Sequence, residues 1–378
     1  MRTRPRTVVR HAPGKLFVAG EYAVVEPGNP AVLVAVDRQV TVAVSGPGDD
    51  AGPAPDGVVV SSDLGLRSVP WRWHEGRLVV RGAYDGPRTR RELAHVVTAV
   101  ETVGRLLTER GLPVPALDVS VSSRLHENGR KFGLGSSGAV TVATVAAVAS
   151  FCGLELSRDE RFRLAMLATA ELDPKASGGD LAASTWGGWI AYQAPDRDFV
   201  LDLARRLGVG RALRAPWPGH AVRRLPPPAG LTLEVGWTGE PASTASLVSG
   251  LHRRAWRGSL SHQRFVATTT DCVRSAVTAL ETGDRPALLR QIRRARRELA
   301  RLDGEVRLGI FTPGLTALCD AAEAVGGAAK PSGAGGGDCG IALLDAGATR
   351  DITHLRRRWE AAGVLPLPVR PALEGIAE

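Results

Sequence analysis

"GRKFGLGSSGAVTVATVAAVAS", residues 129 to 150, is the stretch on which the reading of this chain turns. Gly133, Gly135 and Gly138 stand at G-x-G-x-x-G spacing, a pattern that marks a dinucleotide site when it lies in a βαβ unit. That fingerprint needs its first glycine at the turn directly after a strand. Here the nearest strand-forming run, "LDVSVSS", stops near Ser123, and the polar "RLHENGRK" intervenes. The fingerprint also needs an acid about 20 residues on, at the end of a second strand. Glu155 has the distance, but "FCGLELSRDERF" has room only for a helix end, a cap and a new helix. A Walker A loop is excluded as well, because no Gly-Lys-Ser/Thr follows.

What remains is a loop of glycines and hydroxyls, Gly133, Leu134, Gly135, Ser136, Ser137 and Gly138, feeding a buried apolar helix. Such a loop offers an anion several backbone N–H groups and the positive end of a helix dipole. The glycines permit close approach. Ser136 and Ser137 add hydroxyls for a phosphate or for Mg²⁺, which keeps waters and takes few protein ligands beside substrate phosphates. Ser137 as N-cap of the helix is the competing structural reading, and both roles can coexist.

The bulk numbers narrow the class. A chain of 378 residues is long for one core and comfortable for two. No run of about 20 apolar residues is present, so no membrane span is expected. The basic N-terminus lacks the apolar stretch of a secretory signal. Cys152, Cys272, Cys319 and Cys339 show no paired metal spacing and read as reduced thiols of a cytoplasmic protein. The net charge is +9, yet only four of the 48 basic residues are lysines. Lys15, Lys131, Lys175 and Lys330 each lie in or beside a loop bearing glycine or serine, where a compact ammonium has a use that arginine does not serve. The basic run "LLRQIRRARRELARL" puts Leu289, Ile292, Leu299 and Leu302 at helical spacing with its arginines on the other face. No aromatic residues interleave with it, so no nucleic-acid partner is expected.

Strands are expected over 16–25 and 31–45, in "GVVVSS", "RLVVRG" and "ALDVSVSS", and helices over 91–110, after the glycine loop, and after the Ser157 cap. Residues 214–230, rich in Pro and Arg, read as a linker. Beyond it come the strand "LTLEVGW", helices near 244–257, 260–281, 285–303 and 313–325, a glycine loop at 333–337, the strand "CGIALLD" and a helix near 350–361. The expectation is an α+β chain of two domains, residues 1–220 and 221–378.

Three more glycine-bearing elements accompany the central loop: "HAPGKLFVAGEYAVVEPGNPAV" at 11–32, "ASGGDLAASTWGGW" at 176–189 and "KPSGAGGGDCGIAL" at 330–343. In this order, and over essentially the whole chain, they resemble the GHMP kinases. The resemblance implies an N-terminal domain like the second domain of ribosomal protein S5, a ferredoxin-like C-terminal domain and an active site between them. Within that family the chain is most similar to the phosphomevalonate kinases. Tyr22 stands where mevalonate kinases carry His, Gly138 where they carry Ala, and Asp338 where they carry Gly. This implies transfer of a phosphoryl group from ATP, with Mg²⁺, to 5-phosphomevalonate in the mevalonate route to isoprenoids. Mevalonate or another small acceptor is the alternative. Small-molecule substrates are the only partners implied, for a monomer or homodimer.

Phosphoryl transfer asks for positioning and charge neutralisation, since two polyanions must meet. Lys131, at the mouth of the loop, is the first candidate for the transferring group, and the resemblance puts Lys15 on the acceptor side. Asp180 aligns with the family's active-site aspartate. It serves as a base, or, because a phosphate acceptor is already largely anionic at neutral pH, as a positioning group or Mg²⁺ holder. Ser137 is the hydroxyl candidate for Mg²⁺; the carboxylate ligand is open between Glu171 and Asp173. Tyr22, Ser184, Ser243, Thr244, Gly335, Gly336 and Gly337 are the candidates for the acceptor side, and Asp338 supports the last loop.

Overall fold

The computed structural model describes residues 7–47, 57–63, 65–82, 84–127, 130–240 and 256–376. In the N-terminal half the strands are β1 (Val8–Ala19), β2 (Pro30–Ser45), β3 (Gly57–Ser62), β4 (Val69–His74), β5 (Arg77–Val80), β6 (Leu117–Ser123), the two-residue β7 (His126–Glu127) and β8 (Arg130–Lys131), β9 (Trp189–Gln193) and β10 (Ala221–Leu225). The helices are α1 (Gly86–Glu92), α2 (Ala94–Glu109), α3 (Ser136–Phe151), α4 (Arg158–Leu172), α5 (Gly179–Trp186), α6 (Arg197–Leu207) and α7 (Val209–Arg214).

The long β2 organises this half. One edge pairs antiparallel with β1 along nearly its whole length. The other edge is shared, its first part pairing with β9 and its second with β6. From β6 the sheet runs on through β3, β4 and β5. Residues 31–36 of β2 are all buried, as a strand covered on both faces requires, whereas its second part alternates. Helix α3 is apolar on all sides and correspondingly buried, packing on β1, β2, α2, α4 and α5. A capping box starts α4: the Ser157 side chain accepts from the Glu160 N–H at 3.2 Å and the Glu160 carboxylate from the Ser157 N–H at 2.8 Å. The helix expected over 91–110 is two helices, broken at Leu93.

The C-terminal half has β11 (Leu231–Trp237), α8 (Leu260–Thr282), α9 (Arg285–Val306), α10 (Pro313–Glu323), β12 (Ala328–Pro331), β13 (Cys339–Asp345), α11 (Thr349–Ala361) and β14 (Leu365–Leu367). Its antiparallel sheet has the order β12-β13-β11-β14, the ferredoxin-like arrangement. The expected helix near 244–257 lies largely outside the described residues.

The domain boundary needs correction. Ala221–Leu225, placed in the second domain by the sequence, pairs with β9 in the N-terminal sheet. Only 226–230 connects the halves. The strand was obscured because it is an edge carrying Arg223 and Arg224, charges of the kind that protect edges. The chain end also returns to the first half: Asp37 N–H donates to Arg370 O at 2.9 Å and Ile376 N–H to Ser184 O at 3.0 Å.

The halves meet along β1 and its following turn. Lys330, fully buried on β12, donates to the Glu21 carboxylate, itself buried, and to Pro331 O at 2.7 Å. Ser332 Oγ accepts from Phe17 N–H at 2.8 Å and donates to Phe17 O at 3.0 Å. Phe132 meets Trp237 edge-on at 5.1 Å between ring centroids. An apolar cluster of Tyr22, Ala23, Phe265, Leu299, Ile310 and Ala334 seals the junction. Removing one partner of a buried ion pair strands the other charge, at about 3–5 kcal/mol. Lys330→Met is therefore expected to lower the unfolding free energy from denaturant titration by an amount in that range, and Glu21→Gln with Lys330→Met to recover most of it. Equal stability of the single variant and the unmodified chain would refute the role.

Candidate active site

Lys15 and the glycine loop are built against each other. Strand β1 shifts register between Pro13 and Gly14, and there the loop comes down on it. A Cβ on Gly14 would lie 2.8 Å from Leu134 O, so only glycine admits the loop. The Lys15 N–H then donates to the same carbonyl at 2.8 Å. Phe132 and Leu134 are buried side chains that anchor the loop, so Leu134 presents only its backbone to a ligand. The Lys15 side chain is itself 8% exposed; its Nζ lies 3.5 Å from Gly133 O and 5.3 Å from the centroid of the Phe17 ring. Helix α3 opens from Gly135, held at φ +75°, with no side-chain cap. Ser137 is thus not the N-cap, and the first-turn N–H groups are left for a ligand.

Asp180 closes on this loop from α5. Its Oδ1 accepts from the Leu181 N–H at 3.0 Å. Its carboxyl fills the space where a Cβ of Gly138 would stand, 2.5 Å from Cγ and 2.6 Å from Oδ2. A Cβ on Gly135 would meet Lys15 Cε and Cγ at 2.9 Å and Asp180 Cβ at 3.3 Å. Lys15, Asp180 and the loop therefore converge on one point. Lys131 stands exposed on β8, at the rim. It is near enough to depress the pKa of His95, after burial of that ring, while Asp180 and Asp173 act in the opposite sense.

The two candidate carboxylates on α4 separate. Glu171 binds Arg77 at 3.0 Å and forms a close pair with Arg105. Those arginines belong to a network around the buried Glu101 that also takes in Arg90. Glu171 is held in structure; Asp173 Oδ1 accepts from the Lys175 N–H at 2.9 Å, and its charge bears on His95.

The second glycine loop, 333–337, arrives from the C-terminal half. Tyr22, at φ +63°, donates from its hydroxyl to Ala334 O at 2.5 Å. Burial, then the Asp303 and Glu21 carboxylates, push its pKa up, keeping the phenol a donor. Gly335 packs on Ile310, where a Cβ would lie 2.6 Å from the carbonyl; Gly336 N–H donates to that carbonyl at 2.9 Å, and Gly337 lies against Glu240. Asp338, at φ +50°, lays its carboxyl on Gly133, 2.5 Å from the position of a Cβ there. A Cβ on Gly333 would stand 3.8 Å from Lys15 Nζ, so both loops face the same ammonium.

Ser184 departs from expectation. It is fully buried and its hydroxyl donates to Pro13 O at 2.7 Å, bracing β1 from below instead of lining the cleft. Ser243 and Thr244 lie outside the described residues. Residues the sequence reading passed over are Glu21, although it stands inside the quoted first motif, and His95, for which no motif gave a signal.

The model of the GHMP kinases N terminal domain matches residues 89–188, and that of the GHMP kinases C terminal domain matches 276–361. A phosphomevalonate kinase of Streptomyces sp. (strain CL190) is 81% identical over 376 residues, covering 100% of both chains. The chain belongs to the GHMP kinases. Among solved structures, a Streptococcus pneumoniae phosphomevalonate kinase in complex with phosphomevalonate and AMPPNP superposes with a TM-score of 0.81 at 26% identity, over 97% of this chain and 99% of that one. A Listeria innocua protein superposes with a TM-score of 0.86 at 31% identity, over 99% and 100%. Among the described residues of this GHMP kinase no helix is long and apolar enough to cross a membrane.

Gly138→Ala tests the seating of Asp180. Alanine favours the helix by about 1 kcal/mol, but its Cβ would overlap Asp180 Cγ and Cβ, an overpacking cost of about 1–3 kcal/mol, so stability is expected to hold or fall by up to about 2 kcal/mol. The displaced carboxylate is expected to lower kcat by roughly 10²-fold. An unchanged kcat would show that the position of Asp180 does not matter to turnover.

Proposed function

We propose that this chain transfers the γ-phosphoryl group of ATP to the phosphate of 5-phosphomevalonate, giving ADP and 5-diphosphomevalonate, in the mevalonate route to isoprenoids. The observation that carries it is the convergence of Lys15, Asp180 and both glycine loops on one point, in a chain 81% identical to a phosphomevalonate kinase along its whole length. The bond between the γ-phosphorus and the bridging oxygen breaks; an oxygen of the acceptor phosphate bonds to that phosphorus, and ADP leaves.

The acceptor phosphate is largely dianionic near neutral pH, so it needs no base. Its difficulty is repulsion between two polyanions. Lys15, pinned between the loops, neutralises charge at the transferring group, and Lys131 adds a second cation from the rim. The free N–H groups at the start of α3 hold phosphate oxygens. Asp180 orients the reacting groups and fits Mg²⁺, because its Oδ2 sits beside the opening of α3 with hydroxyl-bearing Ser137 on the same turn. Asp173 is the further oxygen donor. When bound, the ion would neutralise charge on the nucleotide phosphates. Tyr22, Gly335, Gly336 and Gly337 shape the acceptor side. The reaction belongs to the cytoplasm, where ATP and a small phosphorylated acceptor are free in solution.

ADP release measured with mevalonate and 5-phosphomevalonate side by side is expected to occur with the phosphate alone. Turnover of mevalonate but not of its phosphate would sink the assignment. Lys15→Met keeps apolar packing while removing the charge, and is expected to lower kcat by about 10²–10³-fold, the scale of one lost electrostatic contact to a transition state. Lys131→Ala is expected to cost less, since its side chain is exposed; a normal kcat in Lys15→Met would remove that lysine from the mechanism.

A further inference from the structure

His95, at the start of α2, is the titratable side chain beside the glycine loop to which the chemistry above gives no part. Its ring is half-buried against α3. Nδ1 lies 3.4 Å from Thr141 Oγ1. Thr141 has a single hydroxyl hydrogen, and it is given to Ser137 O at 2.8 Å. The contact to His95 therefore requires hydrogen on Nδ1, donated to Thr141. That leaves the neutral ring with its lone pair on Nε2. Nε2 has no hydrogen-bond partner among the described residues, and the side chain is only partly buried, which leaves that edge of the ring available to a ligand. Burial, and after it Lys131, favour the neutral form against the opposing influence of Asp180 and Asp173. These three are the charged groups that bear on the ring.

The placement gives that lone pair a use. Thr141 is one turn along α3 from Ser137, so His95 stands one turn behind the phosphate cradle, and it reads the cradle's position through the Ser137 carbonyl. A phosphate, which has only acceptors, has nothing to offer Nε2. A nucleotide bound at the cradle also carries donors, the sugar hydroxyls and the amino group of the base.

We propose that His95 is a nucleotide-positioning residue whose Nε2 accepts a hydrogen bond from a hydroxyl or amino group of ATP, while its Nδ1–H ties the ring to the helix that holds the phosphates. This rests on the kinase reading, and the test separates the two. Binding of a non-hydrolysable ATP analogue is measured by calorimetry, without acceptor, for the unmodified chain and two variants. His95→Asn places an amide near Nδ1 and keeps a partner for Thr141 but removes the acceptor at Nε2. His95→Gln carries its amide to the Nε2 position.

The dissociation constant is expected to rise about 5- to 10-fold in His95→Asn, as for one lost hydrogen bond, and to stay within about 2-fold in His95→Gln. The KM for ATP follows the same order, and the KM for the acceptor does not. Unchanged affinity in His95→Asn, or equal weakening in both variants, would overturn the assignment and leave the ring a packing element of α2 and α3. Failure of the unmodified chain to bind the analogue at all would overturn the kinase reading and His95's part in it together.

Discussion

Two absent methylene positions govern the geometry of this molecule. Without a Cβ at Gly138, Asp180 reaches the opening turn of α3; without one at Gly133, Asp338 reaches the same loop from the other half of the chain. Each carboxyl group occupies volume that any other residue would fill. Close approach of this kind is what glycine permits beyond conformational freedom. The loop is thereby clasped from two sides, and Lys15 rises between them. The cations and N–H groups that must meet two polyanions are set in place by packing, before any ligand arrives.

That clasp depends on β1. The strand pairs with β2 along its length, lets the glycine loop down at Gly14, carries Lys15 into the centre, and ends in the turn where Glu21 meets Lys330 and Tyr22 meets Ala334. One stretch of about a dozen residues thus touches both glycine loops and both halves. The four lysines divide accordingly. Lys15 is the buried central charge, Lys131 stands at the rim, Lys330 holds the halves together, and Lys175 lies exposed in the turn before α5. Lysine suits the two buried positions because a single compact ammonium fits where a planar guanidinium would need a wider slot.

Much of this was legible from residue order. The exclusion of a dinucleotide site rested on the absence of a strand directly before Gly133, and the structure places there only the two-residue β8 of a small hairpin. The helix after the loop and the capped α4 follow from periodicity and caps, whereas the ferredoxin-like half was implied only by the resemblance to the GHMP kinases that the glycine-bearing motifs carry. The edge strand β10 was not legible, because an edge carries charges and lacks the apolar signature of a covered strand. Ser184 misled because a serine in a glycine-rich motif reads alike whether it faces a ligand or a carbonyl. Glu171 and Asp173 were indistinguishable because both close α4 with a carboxylate; only the arginines from α2 and β5 separate them.

By itself the sequence determined which backbone is permissive and which elements form, since glycine placement, helix caps and apolar period are local properties. It also determined the chemistry available: loops for phosphate, a few lysines, an aspartate. Tertiary structure decided how that chemistry is distributed. That Lys15 is central and Lys131 peripheral, that Lys330 is structural, and that Asp338 and Asp180 flank one loop are facts about residues far apart in the chain. They arise because dense packing lets a side chain reach a backbone only where volume has been left open, and that volume is set by neighbours no local pattern records.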